Sequence, residues 1–239
     1  YPTGHEHCSD EGYGLLFRLM CLGALIGVAE GTQPPEVAVQ SGDVVLQAST
    51  SERSALIRKA SRSPYSHVGL IEIAKDGIFV LEAVQPVSRT PLATWVKRGE
   101  GGWVTVLRAK GLDVAARKRV VAAAKKELGK PYDARYRWDD ERLYCSELVV
   151  KAFARGASLS VGQQELVKTL ELSDEELALA AKLGVSPSQT LVTPGSLAVD
   201  DAFEVIAEKA IVFPSPRGGE GQGEGKPTRG NSSRPLITR

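Results

Sequence analysis

The chain has 239 residues, of which 42% are hydrophobic and 25% charged, and this composition is typical of a soluble globular protein with one domain and extra tails. The formal net charge of +1 gives no indication of a nucleic-acid partner. Of the three cysteines, Cys8 and Cys21 lie in an N-terminal leader, so Cys145 has no partner for an intrachain disulfide in the domain.

Residues 1–37 are predicted to be a leader that contains a signal peptide. The apolar run from Leu19 to Ala29 has the length of a signal-peptide core and is too short to span a bilayer comfortably. Small residues near its end predict cleavage after Ala29, which would release a periplasmic or secreted protein without a stable membrane span. If residues 15–29 instead form an ordinary buried helix, the protein stays in the cytoplasm.

The two ends of the chain give no indication of a cofactor or metal site. The segment HEHC at residues 5–8 lies in a polar stretch without a fixed scaffold, and disorder is the better interpretation. Residues 214–239 are rich in Gly, Pro, Ser and Arg and lack the apolar periodicity that would offset their ordering entropy. We therefore predict a disordered tail over 214–239 and a folded domain over 38–213.

The domain shows a mixed pattern of strands and helices. In chain order, the predicted elements are a strand at 42–49, a helix at 51–61, strands at 67–73, 77–84 and 102–109, and helices at 113–129, 145–156 and 172–184. The dipeptide Asp76–Gly77, between two of the β-rich runs, is a hairpin signal. These elements predict an α+β fold whose antiparallel sheet packs against helices.

The hairpin predicts that His67 and Glu82 lie close together. If residues 75 and 76 form a two-residue loop, residue 69 faces residue 82 across the ladder. His67 and Glu82 then share a face as diagonal neighbours, about 7–8 Å apart at the backbone. Glu82 could orient the imidazole of His67 and stabilise its protonated form. A one-residue shift in register would break this arrangement, and a packing or surface role is the alternative for both residues.

Cys145 is the candidate nucleophile, and His67 is the one histidine of the domain that could serve as its base. The apolar residues that follow Cys145 have helical spacing, so the cysteine lies in the first turn of a helix. The partial positive charge and free N–H groups of a helix N-terminus favour a thiolate and can bind an oxyanion. The alternative is a small buried packing residue, which is a common use of a lone cysteine.

Several segments resemble the YiiX/YebB-like branch of the NlpC-type cysteine hydrolases, which has a circularly permuted papain-like fold. They lie within about residues 40–205 and read SGDVVLQAST, SPYSHVGLIEI, FVLEAV, GKPYDARYRWDDERLYCSELVVKAF and LVTPGSLAVD. The histidine precedes the cysteine, as in those permuted proteins. The resemblance implies Cys145 as nucleophile, His67 as base and Glu82 as the third polar member. It also brings Tyr144 and Tyr132 near the site, where each either donates a hydrogen bond to the substrate or oxyanion, or packs.

The resemblance implies hydrolysis of an amide or ester through an acyl-thioester intermediate, without a cofactor. Exported relatives in this superfamily commonly cut peptidoglycan stems, so an amide bond in a cell-wall or other peptide is the first expected substrate. Acyl transfer, or hydrolysis of a lipid ester or thioester, is the alternative, because other permuted members handle acyl chains. A non-catalytic binding module of the same fold is a third possibility, which the intact Cys, His and Glu set disfavours.

Residues 158–190 have no clear match in that family and are interpreted as a lid or an ornament. The helix predicted at 172–184 starts at Ser173 and has Glu176 three residues later, which is the pattern of a capping box. Its apolar residues are small and its start is acidic, so it is a poor face for membrane binding. Peptide hydrolysis is therefore predicted over lipid chemistry.

Overall fold

The computed structural model describes residues 39–210, and the predictions for the leader and for residues 214–239 lie outside the described residues. The strands are β1 (Val44–Gln47), β2 (His67–Ala74), β3 (Gly77–Glu82), β4 (Ser88–Pro91), β5 (Trp103–Ala109), β6 (Gln164–Leu166), β7 (Thr190–Val192) and β8 (Phe203–Ala210). The helices are α1 (Glu52–Ala60), α2 (Leu92–Lys97), α3 (Val114–Lys125), α4 (Cys145–Ala157), α5 (Asp174–Lys182) and α6 (Pro194–Ala198).

Six of the strands form one antiparallel sheet in the order β4-β3-β2-β1-β5-β8, and β6 pairs separately with β7. This combination of helices with an antiparallel sheet confirms the predicted α+β class. The sequence patterns do not predict β4, β6, β7 or β8. Three of these strands have only three or four residues, too few for a clear alternation of polar and apolar side chains.

The hairpin of β2 and β3 has the predicted register. Leu70 pairs with Leu81, which brings Gly69 opposite Glu82. A Cβ atom added at Gly69 would lie 2.4 Å from Val80 Cγ1 and 3.4 Å from Glu82 Cβ. A side chain at this glycine would therefore displace the strand that carries Glu82, and the close approach helps to fix that residue beside the start of β2.

The sheet is packed on both faces. The main core lies between one face and the helices α3 and α4, and it includes Leu46, Leu70, Val120, Leu148 and Phe153. The opposite face packs mainly against α2, and this smaller cluster includes Val45, Ile71, Val80 and Trp95. Because strand side chains alternate, successive residues of β1 contribute to different clusters.

Helix α4 is held closely against α3 and the sheet. Its predicted apolar stripe is buried, with at most 2% exposure at Leu148, Val149, Ala152 and Phe153. Near the end of α4, a Cβ atom added at Gly156 would lie only 2.4 Å from the backbone nitrogen of Val120 in α3. This tight packing fixes the axis of α4 and therefore the position of its first residue, Cys145.

Residues 158–190 contain β6, α5 and the first residue of β7. The predicted capping box of α5 is confirmed: Ser173 Oγ accepts from the Glu176 N–H, and the Glu176 carboxylate accepts from the Ser173 N–H. Helix α5 has no fully buried residue, and Lys59 Nζ of α1 lies 2.7 Å from Glu176 Oε2. Within residues 39–210, no helix is long and apolar enough to cross a bilayer.

Candidate active site

Cys145 is the first residue of α4 and is buried, with 5% of its surface exposed. Tyr144 before it has an extended backbone, so the chain enters the helix directly at the cysteine. The hydroxyl oxygen of Ser146 lies 3.8 Å from Cys145 Sγ. The thiol therefore occupies the first helical turn, where the helix dipole and the unpaired N–H groups favour the thiolate.

His67 is the first residue of β2, and 14% of its side chain is exposed. Its Nε2 atom lies 2.6 Å from Glu82 Oε2, as the predicted hairpin register requires. The ring of Trp95 lies beside the imidazole, with 6.1 Å between the ring centroids. Because Nε2 is engaged by Glu82, Nδ1 is the ring nitrogen left for the thiol.

The side chains of Cys145 and His67 interact and change each other's pKa. Burial alone would lower the pKa of His67, but hydrogen bonds with Cys145 and Glu82 outweigh it and raise the pKa from 6.5 to about 9. Burial opposes ionisation of Cys145, yet the hydrogen bond with His67 and the charge of its ring lower the pKa of the thiol. Both shifts favour a thiolate and an imidazolium, which is the state of an activated cysteine nucleophile.

Glu82 is fully buried and binds three side chains. Oε2 interacts with His67, while Oε1 accepts hydrogen bonds from Thr90 Oγ1 at 2.5 Å and from the guanidinium of Arg98. Burial raises the pKa of Glu82, but His67, Thr90 and Arg98 together bring it below the ordinary value. The sequence patterns gave no indication of Thr90 or Arg98. Thr90 lies in β4 and Arg98 directly follows α2, and neither element was predicted.

Three tyrosines surround the thiol. Tyr144 is 1% exposed, its hydroxyl accepts a hydrogen bond from the Val192 N–H at 3.0 Å, and burial raises its pKa. Tyr132 packs edge-on against Tyr136 at 6.5 Å between centroids, and the sequence analysis did not single out Tyr136. Burial and the charge of Cys145 raise the pKa of Tyr132 well above 10. All three hydroxyls therefore stay protonated, and a role for Tyr132 or Tyr144 as a substrate or oxyanion donor stays a prediction.

A cavity of about 460 Å³ lies beside Cys145, which forms part of its wall. Its lining is mostly apolar and comes from α1, from α5 and from β7 with the residues around it. The larger apolar residues in the wall include Leu56, Ile57, Leu170, Leu179, Leu183 and Leu191. Residues of the segment 158–190 therefore contribute directly to the space next to the candidate nucleophile.

The ion pair predicts an unusual pH dependence for alkylation of Cys145. At pH 6 a free thiol is almost entirely protonated, whereas the lowered pKa of Cys145 should leave a larger fraction of its thiol ionised. We expect iodoacetamide to alkylate Cys145 at least about tenfold faster than glutathione at pH 6. The advantage should shrink above about pH 9, where His67 loses its proton and free thiols ionise. In the control variant His67→Gln, the faster alkylation relative to glutathione should disappear. A wild-type alkylation rate no faster than that of glutathione at pH 6 would contradict the ion pair.

Three comparisons with known proteins show which proteins this chain is similar to. A family model described as permuted papain-like amidase enzyme, YaeF/YiiX, C92 family, matches residues 38–207. The uncharacterized protein YiiX of Escherichia coli strain K12 is 36% identical over 201 residues, which are 82% of this chain and 98% of that protein. The crystal structure of a protein described as metalloprotein yiiX, from Escherichia coli O157:H7, has a TM-score of 0.67 and 34% identity, and the match covers 71% of this chain and 97% of that one.

Proposed function

The chain belongs to the YaeF/YiiX family of permuted papain-like amidases, and we propose that it hydrolyses an amide whose acyl group is apolar. Membership of this family of papain-like cysteine amidases confirms the enzyme class expected from the sequence, a cysteine hydrolase. The proposal assigns Cys145 as nucleophile, His67 as the acid and base, and Glu82 as the residue that orients His67. The choice of an apolar acyl group is supported by the position of Cys145 in the wall of an apolar cavity.

In the proposed first step, the thiolate of Cys145 attacks the carbonyl carbon of the amide and forms the carbon–sulfur bond. The carbonyl oxygen becomes an oxyanion next to the N-terminus of α4. The N–H of Cys145 has no acceptor among the described residues and points from the first helical turn, so it is a donor for that oxyanion. The tetrahedral intermediate then collapses, and the amine leaves with the proton of the His67 imidazolium.

The second step removes the acyl group from the sulfur. Neutral His67 takes a proton from a water molecule, and the resulting hydroxide attacks the thioester carbonyl. The carbon–sulfur bond breaks, a carboxylic acid is released, and the thiolate and imidazolium form again. Glu82 supports both steps, because its charge stabilises the imidazolium and its contact with Nε2 keeps Nδ1 directed at the sulfur.

An apolar acyl group fits the space that Cys145 faces. Each methylene moved from water into an apolar cavity contributes about 0.8 kcal/mol, and most of the wall is apolar. Helix α5 has the small apolar residues and the acidic start expected from the sequence, but its apolar side lines this cavity. The cavity thus supports the acyl-chain alternative, while cleavage of a cell-wall peptide by an exported, periplasmic enzyme stays a prediction.

One relative is described as a metalloprotein, and a metal ion needs several donor side chains that are free to bind it. Within residues 39–210, no group of three or more His, Cys, Asp and Glu side chains could hold a metal. Cys145, His67 and Glu82 are also a poor donor set, because the guanidinium of Arg98 lies against the Glu82 carboxylate. These residues do not fit a metal, and the proposed steps use only the thiolate, the imidazolium and water.

A series of N-acyl amides with one common amine tests the proposed acyl group. We expect kcat/KM to rise by roughly fourfold per methylene from acetyl upward until the cavity is filled, because each methylene adds buried apolar surface. The same amine attached to a peptidoglycan stem peptide tests the peptide alternative. A flat series, or faster release from the stem peptide than from every acyl amide, would overturn the apolar acyl group.

Two alanines of α5 provide a matched pair of variants for this series. Ala180 lines the cavity, whereas Ala178 is exposed on the same helix and does not. Ala180→Phe should shorten the longest acyl chain that is hydrolysed efficiently, while leaving the acetyl amide unchanged. Ala178→Phe should leave the whole series unchanged.

A further inference from the structure

Arg53 is a cationic side chain in the wall of the apolar cavity. It lies in the first turn of α1, and Leu56, Ile57 and Ala60 continue the same wall along the next two turns. One side of α1 therefore presents a guanidinium at its start and only apolar groups after it. The seven-residue separation of Arg53 and Ala60 corresponds to about 10 Å along the helix axis.

The charge of Arg53 is not neutralised by any of the side chains that the structure describes. No described carboxylate forms an ion pair with its guanidinium, whereas the other cationic residues in and after α1 are all paired. Arg58 pairs with Glu100, Lys59 with Glu176, and Arg62 with Glu171. The pairing with Lys59 also neutralises Glu176, which is the acidic residue of the cavity wall. Arg53 is left as the unbalanced charge of this wall.

Arg53 and Cys145 act on the same two tyrosines of the site. Burial raises the pKa of both Tyr132 and Tyr136, the charge of Cys145 raises it further, and the charge of Arg53 acts in the opposite direction on both. The two tyrosines are therefore close to the thiolate and to the guanidinium at once. Tyr136, Cys145 and Arg53 also share the wall of the same cavity.

We infer that Arg53 binds a carboxylate next to the scissile bond, and that the substrates are N-acyl amino acids with a long apolar acyl chain. This inference rests on the proposed amidase function and names its substrate class. In an N-acyl amino acid, the carboxylate is attached to the carbon that bears the amide nitrogen, so an anionic group and an apolar chain flank one amide bond. A guanidinium binds such a carboxylate through two parallel hydrogen bonds, and the acyl chain follows the apolar side of α1 away from Cys145.

The reaction consumes one water molecule and releases a fatty acid and a free amino acid. The amide carbon–nitrogen bond breaks, and His67 supplies the proton to the leaving α-amino group. Arg53 holds the carboxylate throughout. It is therefore a residue that determines specificity by touching the substrate, and it takes no part in proton transfer.

Binding measured by calorimetry in a Cys145→Ala background tests the inference without turnover. The two ligands are N-dodecanoyl glycine and N-dodecanoyl ethanolamine, which share the chain and the amide but differ in the carboxylate. We expect Arg53→Gln to weaken binding of the glycine compound roughly tenfold or more and to change binding of the ethanolamine compound less than about twofold. Arg53→Lys should restore part of the loss, since it returns the charge without the fork of two donors.

Arg58→Gln is the matched control, because Arg58 lies on the same helix, one turn later, and pairs with Glu100 outside the cavity wall. It should leave the affinity of both ligands unchanged. Equal affinities for the two ligands, or equal losses in Arg53→Gln, would overturn the role of Arg53 and leave the proposed amidase function standing. Conversely, the proposed function fails if wild-type protein forms no acyl–Cys145 intermediate, whatever the binding results.

Discussion

Replacing Cys145 with alanine should abolish amide hydrolysis and leave the fold intact. Loss of the nucleophile removes the acyl-thioester route entirely, and removal of a member of a catalytic triad typically costs about 10⁴-fold or more in kcat. The side chain contributes one buried sulfur atom to the start of α4, and alanine is compatible with a helix. Turnover of a dodecanoyl amide, together with the melting temperature of each protein, measures both parts of the expectation.

Cys145→Ser is the closest control for this result. Its hydroxyl matches the thiol in position but has a far higher pKa, so His67 cannot hold it as an anion. We expect Cys145→Ser to be inactive as well and to melt within a few degrees of the wild type. If either variant kept even a tenth of the wild-type turnover, Cys145 would not be the nucleophile.

Glu82→Gln should lower kcat by roughly 10² to 10⁴-fold with a smaller change in KM. The amide removes the negative charge that stabilises the His67 imidazolium, so the pKa of His67 should fall from about 9. The side-chain NH2 group of the glutamine can also lie against Nε2 of His67, and this ring nitrogen needs a hydrogen-bond acceptor there. The variant should therefore lose both turnover and the rapid alkylation of Cys145 at pH 6. A purely structural role for Glu82 would not require the loss of rapid alkylation.

Glu72→Gln is the matched control for Glu82→Gln. Glu72 is also a buried carboxylate of the β2–β3 hairpin, and it pairs with Arg89 and Lys125 at 2.6 Å each, away from the thiol. We expect Glu72→Gln to lower the melting temperature without lowering kcat or the alkylation rate. Equal losses of turnover in the two variants would mean that Glu82 acts only through stability.

The parts of the site that are local in the chain could be predicted from the sequence. The loop at residues 75 and 76 fixes the register of β2 and β3, so the contact between His67 and Glu82 follows from a count of residues. The apolar spacing after Cys145 likewise fixes the start of α4, because those side chains must face the core. In both cases one short continuous segment of the chain contains the residues that determine the local structure.

The surroundings of these residues depend on segments that are far apart in the chain. Arg98 reaches Glu82 from the end of α2, and no periodic pattern marks such a contact. The cavity is formed by α1 together with residues 167–194, whose position relative to Cys145 is set by tertiary packing. For this reason the sequence pattern of α5 suggested a poor lipid-binding face, although Leu179 and Ala180 of this helix line the space beside the thiol.

Intact-protein mass spectrometry of the acyl-enzyme tests the cysteine mechanism most directly. Wild-type protein mixed with an activated dodecanoyl ester and quenched in acid should carry one dodecanoyl group, and peptide mapping should locate it on Cys145. Hydroxylamine should remove it as a thioester, His67→Gln should accumulate it more slowly, and Cys145→Ala should never carry it. Turnover without any adduct in the wild type, or a dodecanoyl group on another residue that disappears at the rate of turnover, would contradict the mechanism.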